Sequence, residues 1–586
     1  MQPGTRWEVG MKRLNNLVVE LASRAKLEPG DVVKFRNPRE GWVFVSCDGK
    51  KPETRQLKIN GRPHPWKGSF GDNLEAMCYL PQGEHVLAVH GKPARRLAIR
   101  SIPELLFTKY GYNPFVKNYG PYDWQFLKRY VLPHVNTVIG TGSPEQNTQN
   151  REWRSAGGKW IIERGMSFDK SARPDSGEVV SAWGGEPGMT DPAFDGLLLD
   201  EFFSGDDARY PAFSEALRRL GADPKFKGKK LYPYCGSHYP DRNDWGDYNE
   251  EDTSNSSVPF WRAAIQSGSR IAWERYLQER HDREIAKDLI EERIGEKIRL
   301  WQKVFPNVQE SMIIAFGYMS MGFALNAHPS VDYKVFLDMQ FRYLATEPAL
   351  KGLYGITGWT SGYAEEETLK WTAQLYRHYG IEGNTQLLSK RYGFTYELPH
   401  IKNPDFAFNW EGWCVPVNIE KNCTVKSIDG YSALQGRWSV TDVGNSVMIV
   451  KRSSLRANAV SQPIRHLVRG KLYSVKLISG DYDDFVNGKS EEKLHTLKIG
   501  IEGGELVKEK CFQSPLPNHP TTKLGPFRRD HRYWFNLHHL VFRATAKTGK
   551  ITISDWVTPG EPGAPIGQST MYNFVEVQPY WAGEEQ

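Results

Sequence analysis

Cysteine is scarce, with six in 586 residues. That is too few to staple a chain of this length through a disulfide framework. Cys47 and Cys78 fall on two expected strands of one small domain, and Cys414 and Cys423 flank a short excursion in another. Either pair can bridge, and spacing alone does not choose. No cysteine–histidine spacing matches a zinc site, and no cofactor is expected. No apolar run approaches the roughly 20 residues that a membrane-spanning helix needs. A dense Lys/Arg block is also missing. The net charge of +7 is spread along the chain, whereas a nucleic-acid partner would want a concentrated basic face. No internal repeat or low-complexity linker separates the parts. The start, "MQPGTRWEVGMKRLNNLVVELASRA", has a basic stretch, but Asn15, Asn16 and Glu20 break its apolar core. It reads as a first strand over residues 17–21 rather than as a signal peptide.

What is present falls into three rhythms. Residues 1–101 carry short alternating runs such as "DVVKFRNP", "GWVFVSC" and "EAMCYLP" between Gly, Pro and Asp, the pattern of a small β-sandwich. Residues 102–400 alternate short β-rich runs with helical stretches. Eight strands are expected, over residues 105–110, 136–140, 160–164, 196–201, 230–235, 270–275, 312–318 and 353–359. The helix in "DREIAKDLIEERIGEKIRLWQKVF" carries Ile285, Leu289, Ile290, Ile294, Ile298 and Trp301 on one stripe. Eight strand–helix units over about 300 residues imply a closed (β/α)8 barrel. An open doubly wound sheet would normally show a Gly-rich phosphate loop after an early strand, and none is present. Residues 401–586 return to short strands without a long helix and suggest a two-sheet jelly roll. The fold class is thus a TIM barrel flanked by two β-sandwich domains.

A barrel of this kind presents its site at the C-terminal strand ends, so those ends supply the candidates. The stretch "GLLLDEFFSG" runs a dry fourth strand into Asp200 and Glu201. The sixth strand ends in Glu274, the third in Glu163 and Arg164. The first offers Lys109, Tyr110, Tyr112 and Asn113, and the fifth offers Tyr234, Cys235 and His238. Tyr318 and Trp359 close the seventh and eighth. Carboxylates ringed by Tyr, Trp, Asn, His and Arg suit a sugar, whose apolar faces stack on rings while its hydroxyls take hydrogen bonds. Glycoside hydrolysis needs two carboxyl groups across the scissile bond. Crowding Asp200 beside Glu201 would raise one of their pKa values and favour a protonated acid. Each residue also has a plainer reading. Asp200–Glu201 can cap a helix near Asp207, although Asp206 and Asp207 are closer to that job. "RIAWERYLQER" can be a helix with Glu274 in solvent. Glu163–Arg164 can be an internal ion pair, and the aromatic residues can be upper-layer packing. Cys235 and His238 lack the surroundings of a hydrolase elbow. The acidic "GDYDDFVNG", residues 480–488, is either a solvated turn or a structural calcium site in the last domain.

This layout resembles that of multidomain glycoside hydrolases: an N-terminal β-sandwich, a catalytic (β/α)8 barrel and a C-terminal jelly roll similar to carbohydrate-binding modules. The "NPDF…WEGW" opening of the last domain carries that second likeness. On the fourth strand, Phe194-Asp195-Gly196 is similar to a chitinase opening, but Leu198 and Phe202 stand where further acids belong. Asp200-Glu201 is similar to the hexosaminidase pair without its His-x-Gly-Gly lead-in. Asp200 with Glu274 is similar to the α-galactosidase arrangement on strands four and six. The arrangement on strands four and seven is not met, because strand seven ends in Phe316, Gly317 and Tyr318. No single family is matched. The resemblance implies a metal-independent hydrolase of a poly- or oligosaccharide and a secreted or periplasmic setting. It implies Glu201 as general acid, Glu274 or else Asp200 as nucleophile or base, and Tyr110, Tyr112, Asn113, Glu163, Arg164, His238, Tyr318 and Trp359 around the sugar. The alternatives are a non-catalytic glycan-binding scaffold with a degenerate barrel, and a transglycosidase or lyase. The sugar, the stereochemistry and the oligomeric state are not legible.

Overall fold

The computed structural model describes residues 11–111, 114–202, 207–236, 257–322, 324–437, 444–518 and 532–583. Its centre is a closed barrel of eight parallel strands in sequence order. They are Glu104–Tyr110, Thr137–Gly140, Lys159–Gly165, Gly196–Phe202, Lys230–Cys235, Ile271–Arg275, Met312–Gly317 and Gly355–Trp359. All eight fall where the alternating rhythm predicts them. "RIAWER" is therefore a strand and not a helix, because Ala272 faces the barrel interior while Ile271 and Trp273 face the surrounding helices. The interior is packed by Leu106, Ile139, Ile161, Leu198, Tyr232 and Ile313, one side chain from each of six strands. Such a barrel is a filled core and not a pore.

The expected long helix forms as Arg283–Ile290, a wide π turn over Glu291–Glu296, and Lys297–Val304. Leu289, Ile290, Ile294, Ile298 and Trp301 are buried as the stripe predicts. Ile285 is not: it is 43 % exposed, because it lies in the first turn, beyond the edge of the buried face.

The N-terminal domain is a sandwich of a six-stranded and a four-stranded antiparallel sheet. Strand Gly41–Asp48 shows how it joins the barrel. Val43, Val45 and Cys47 point into the sandwich core, and Trp42 and Phe44 pack on the barrel's outer core. The expected strand over 17–21 starts later, at Val19–Arg24. The Asn15 side chain accepts from the Leu17 and Val18 amides and holds them in a turn first. The C-terminal domain has one seven-stranded and one three-stranded sheet. It is tied to the barrel by a buried lysine, Lys476, whose ammonium lies 2.7 Å from Glu365 and 3.1 Å from Glu576.

All six cysteines are free. Cys47 and Cys78 sit on paired strands, but their neighbours across the ladder are Leu74 and Val43, so they stand apart along it. In "GDYDDFVNG", Asp481 caps the short helix Tyr482–Asn487, and Lys493 bridges Asp481 and Asp484. Among the described residues no group of three His, Cys, Asp or Glu side chains is arranged to hold a metal ion. Among them, too, no helix is long and apolar enough to cross a membrane.

Candidate functional site

The site is built by inward alternation along the strands and by two bulges that interrupt it. On the fourth strand, Leu197 and Leu199 face the helices and Leu198 faces the barrel axis. Asp200 continues the inward row. Leu199 then pairs with Pro233 and Phe202 with Cys235, so the fourth strand holds one residue more than its neighbour. The extra residue is Glu201, with φ 73°. A bulge with a left-handed residue re-aims the chain at a strand end, and a glutamate pays some strain to sit there. Phe202 returns to the outer core, fully buried. The adjacent acids therefore part company: Asp200 is half-buried at the mouth and Glu201 is exposed. The Asp200 carboxylate accepts the Glu201 amide at 2.9 Å. Neither acid caps the next helix, Tyr210–Ala222. Asp207 instead accepts the Arg209 amide and pairs with the Arg209 guanidinium just ahead of it.

The first strand repeats the device. Phe107 pairs with Val138 and Tyr110 with Gly140, with Lys109 as the extra residue at φ 62°. The Lys109 ammonium lies 2.9 Å from Glu163 and 4.2 Å from the centre of the Trp359 ring. Trp359 also packs on Tyr234, ring centres 5.0 Å apart, and the peptide bond after it is cis. The Tyr234 and Tyr276 hydroxyls are 2.5 Å apart. Glu274 completes the mouth from the sixth strand.

The electrostatics separate the acids. Burial pushes the Glu274 carboxyl up to about 8, against the pull of neighbouring Arg275 and with the help of the Asp200 charge. Burial, then the Glu163 charge, pushes Asp200 up to about 6, and Lys109 offsets part of it. Among the described residues no cation comes within ion-pairing distance of Asp200 or Glu274. Glu163 is different, since Lys109 holds it.

The other candidates sort as follows. Arg164 points away from the mouth and is tied to Glu186 at 3.0 Å and to the Thr141 carbonyl at 2.9 Å. Tyr110 packs on Trp124 and Trp160 beside the barrel. Tyr318 is buried against Gly358, where a Cβ would fall 1.8 Å from its ring. Its hydroxyl lies 3.5 Å from that of Thr108. Cys235 faces the outer core and its thiol is pushed up by burial. Tyr112, Asn113 and His238 lie outside the described residues. Tyr276 was not singled out from the sequence. It stands one residue beyond the sixth strand, and its contact with Tyr234 crosses between strands, so no local pattern marks it.

No family model and no curated protein matches the chain. Among solved structures it is similar to β-glucuronidase 2 of Bacteroides uniformis, at 10 % identity and TM-score 0.32, over 93 % of this chain and 79 % of that one. It is similar to an endo-β-N-acetylglucosaminidase of Cordyceps militaris, at 12 % identity and TM-score 0.31, over 47 % of this chain and 90 % of the other. A family 5 glycoside hydrolase of Prevotella bryantii B14 aligns at 12 % identity and TM-score 0.27, over 47 % and 95 %. These neighbours are glycosidases. The barrel itself is established by the chain's own strand registers.

Proposed function

We propose that the barrel mouth hydrolyses a glycosidic bond with Glu274 as proton donor and Asp200 as its carboxylate partner. One observation carries this reading. Two inward carboxyl groups, on strands four and six, have no cationic partner among the described residues, and their pKa values lie apart. Titratable pairs pushed apart by their surroundings mark acid and base roles. Near neutral pH, Glu274 holds its proton and can deliver it to the leaving oxygen. Asp200 is largely ionised and can meet the developing positive charge, as nucleophile or as base for a water.

Strands four and six are separated by one strand in the barrel. Neighbouring strands lie about 4.8 Å apart, so the backbones of strands four and six stand roughly 10 Å apart. Their side chains converge toward the axis. A carboxyl separation of about 5–5.5 Å gives retention and one of about 6.5–9.5 Å gives inversion. Lys109, held over the Trp359 ring and against Glu163, is the polar contact offered to the sugar in this reading. Glu201, exposed at the rim, is a substrate contact in this reading, and the proton donor assigned to it from the sequence becomes Glu274. The chemistry is the same for a poly- or oligosaccharide substrate.

The test is release of reducing ends from a panel of polysaccharides and aryl glycosides, with circular dichroism to check folding. Wild type and Glu201→Gln should cleave a shared substrate, while Glu274→Gln and Asp200→Asn should not. Binding without release by the wild type would favour a glycan-binding scaffold. Loss of activity confined to Glu201→Gln would return the acid to Glu201.

A further inference from the structure

A second cavity lies away from the barrel mouth, where the N-terminal sandwich meets the helices outside the first and second barrel strands. It encloses about 260 Å³ and is walled by Phe70, Trp124, Trp153 and Leu132, with Lys67 inside and Lys128 and Glu152 at its edge. This is close to the lower end of the roughly 300–1,000 Å³ usual for small-molecule sites, and the mostly apolar wall with a few polar groups is also usual.

One charged group at this cavity stands outside the ion pairs of the described residues, since Lys128 pairs with Glu152 and Arg377 with both Glu75 and Glu382. Glu152 is already engaged, accepting from the Trp124 indole at 2.8 Å and from Lys128 at 3.0 Å. Glu75 is engaged as well, by both arms of Arg377. Arg377 in turn stacks on Phe70 at 3.4 Å. His134, edge-on to Phe70 at 5.3 Å, is held neutral by its burial. Lys67 remains. Its ammonium donates to the Val135 carbonyl, approaches the Met77 sulfur at 3.6 Å and sits 4.4 Å over the Trp153 ring. No carboxylate among the described residues pairs with it. An ammonium has three donors, and neither the sulfur nor the ring supplies the anion that would offset its desolvation.

We propose that this cavity is a binding site for a small aromatic carboxylate, with the ring against Trp153 and Phe70 and the carboxylate on Lys67. An anion is the partner Lys67 lacks, and a flat apolar body suits the cavity walls. The site is independent of the barrel mouth and of the reaction assigned there. Burial has pushed the Lys67 amine down to about 7, with Glu75 favouring and Arg377 opposing its charge. A bound carboxylate favours the charged form, so binding above that pH takes up a proton.

Isothermal titration calorimetry of the full chain with benzoate and 2-naphthoate, against their neutral amides, tests this. The acids should bind one per chain and at least about tenfold more tightly than the amides. At pH 8 their binding enthalpy should vary with the ionisation enthalpy of the buffer. Lys67→Met should remove the preference for acid over amide. Lys67→Arg should keep the preference but lose the proton uptake, which separates charge from mere folding of the site. Glu274→Gln should change none of this. Equal affinity for acid and amide, or no binding of either at millimolar concentration, would overturn the proposal. So would binding lost in Glu274→Gln and kept in Lys67→Met.

Discussion

The two ends of the barrel use ionisable residues in opposite ways. At the N-terminal end, Glu104 is fully surrounded. It accepts from the Thr137 hydroxyl at 2.7 Å and from the Tyr232 hydroxyl at 3.2 Å on each oxygen. Lys159, Lys230 and Arg270 crowd the same level, with Lys159 over the Tyr79 ring at 3.0 Å and Arg270 over Tyr354 at 3.9 Å. Burial pushes Lys159 down to about 8, and Glu104 is the first charge that opposes the shift. Arg39 of the sandwich donates to the Gly352 and Leu353 carbonyls and helps to close this end. At the C-terminal end, Asp200 and Glu274 are raised rather than satisfied. An inward polar side chain is structural where its partners are in place, and the proposed chemistry draws on those whose partners are missing.

Substitutions at the two ends should therefore fail differently. The largest effect belongs to Glu274→Gln, which should lower kcat/KM about 100- to 10,000-fold on a substrate with a poor leaving group, with folding intact. Glu104→Gln should do the reverse. It weakens the buried acceptor shared by the Thr137 and Tyr232 hydroxyls and should cost about 1–3 kcal/mol of stability, read by urea denaturation, while molecules that remain folded keep their KM. A weaker effect sharpens the contrast. A carboxyl whose folded pKa is raised binds its proton more tightly in the folded state, so its contribution is fully present below the ordinary carboxylate range. That contribution is lost as pH rises toward 8. Glu274→Gln should accordingly be more stable than wild type at pH 8, by about 1–3 kcal/mol, with the difference vanishing near pH 4. The smallest effect is Glu201→Gln, which should leave stability within about 0.5 kcal/mol and the pH profile unchanged.

The barrel was legible because strand–helix alternation survives in the sequence as a change of period, and every strand carries its own apolar run. The mouth was legible only in part. Reading the strand ends named Asp200, Glu274 and Trp359, and the structure places all three at the C-terminal ends of barrel strands. The same reading could not tell Asp200 from Glu201. That choice is made by a bulge whose evidence is the register with the fifth strand, a relation between segments some 30 residues apart. Lys109 holding Glu163 is likewise a contact across strands one and three. The expected pairing of Glu163 with adjacent Arg164 ignored that neighbours on a strand face opposite ways.

The most direct measurement is the pH dependence of kcat/KM, for wild type and Glu274→Gln, on a cleaved aryl glycoside carrying either a poor or an activated leaving group. The account predicts a bell for the wild type, rising through about 6 as Asp200 ionises and falling through about 8 as Glu274 loses its proton. In Glu274→Gln the alkaline limb should vanish, and activity on the activated substrate should largely survive. An alkaline limb that persists in the variant, or equal loss on both substrates, would contradict Glu274 as the proton donor.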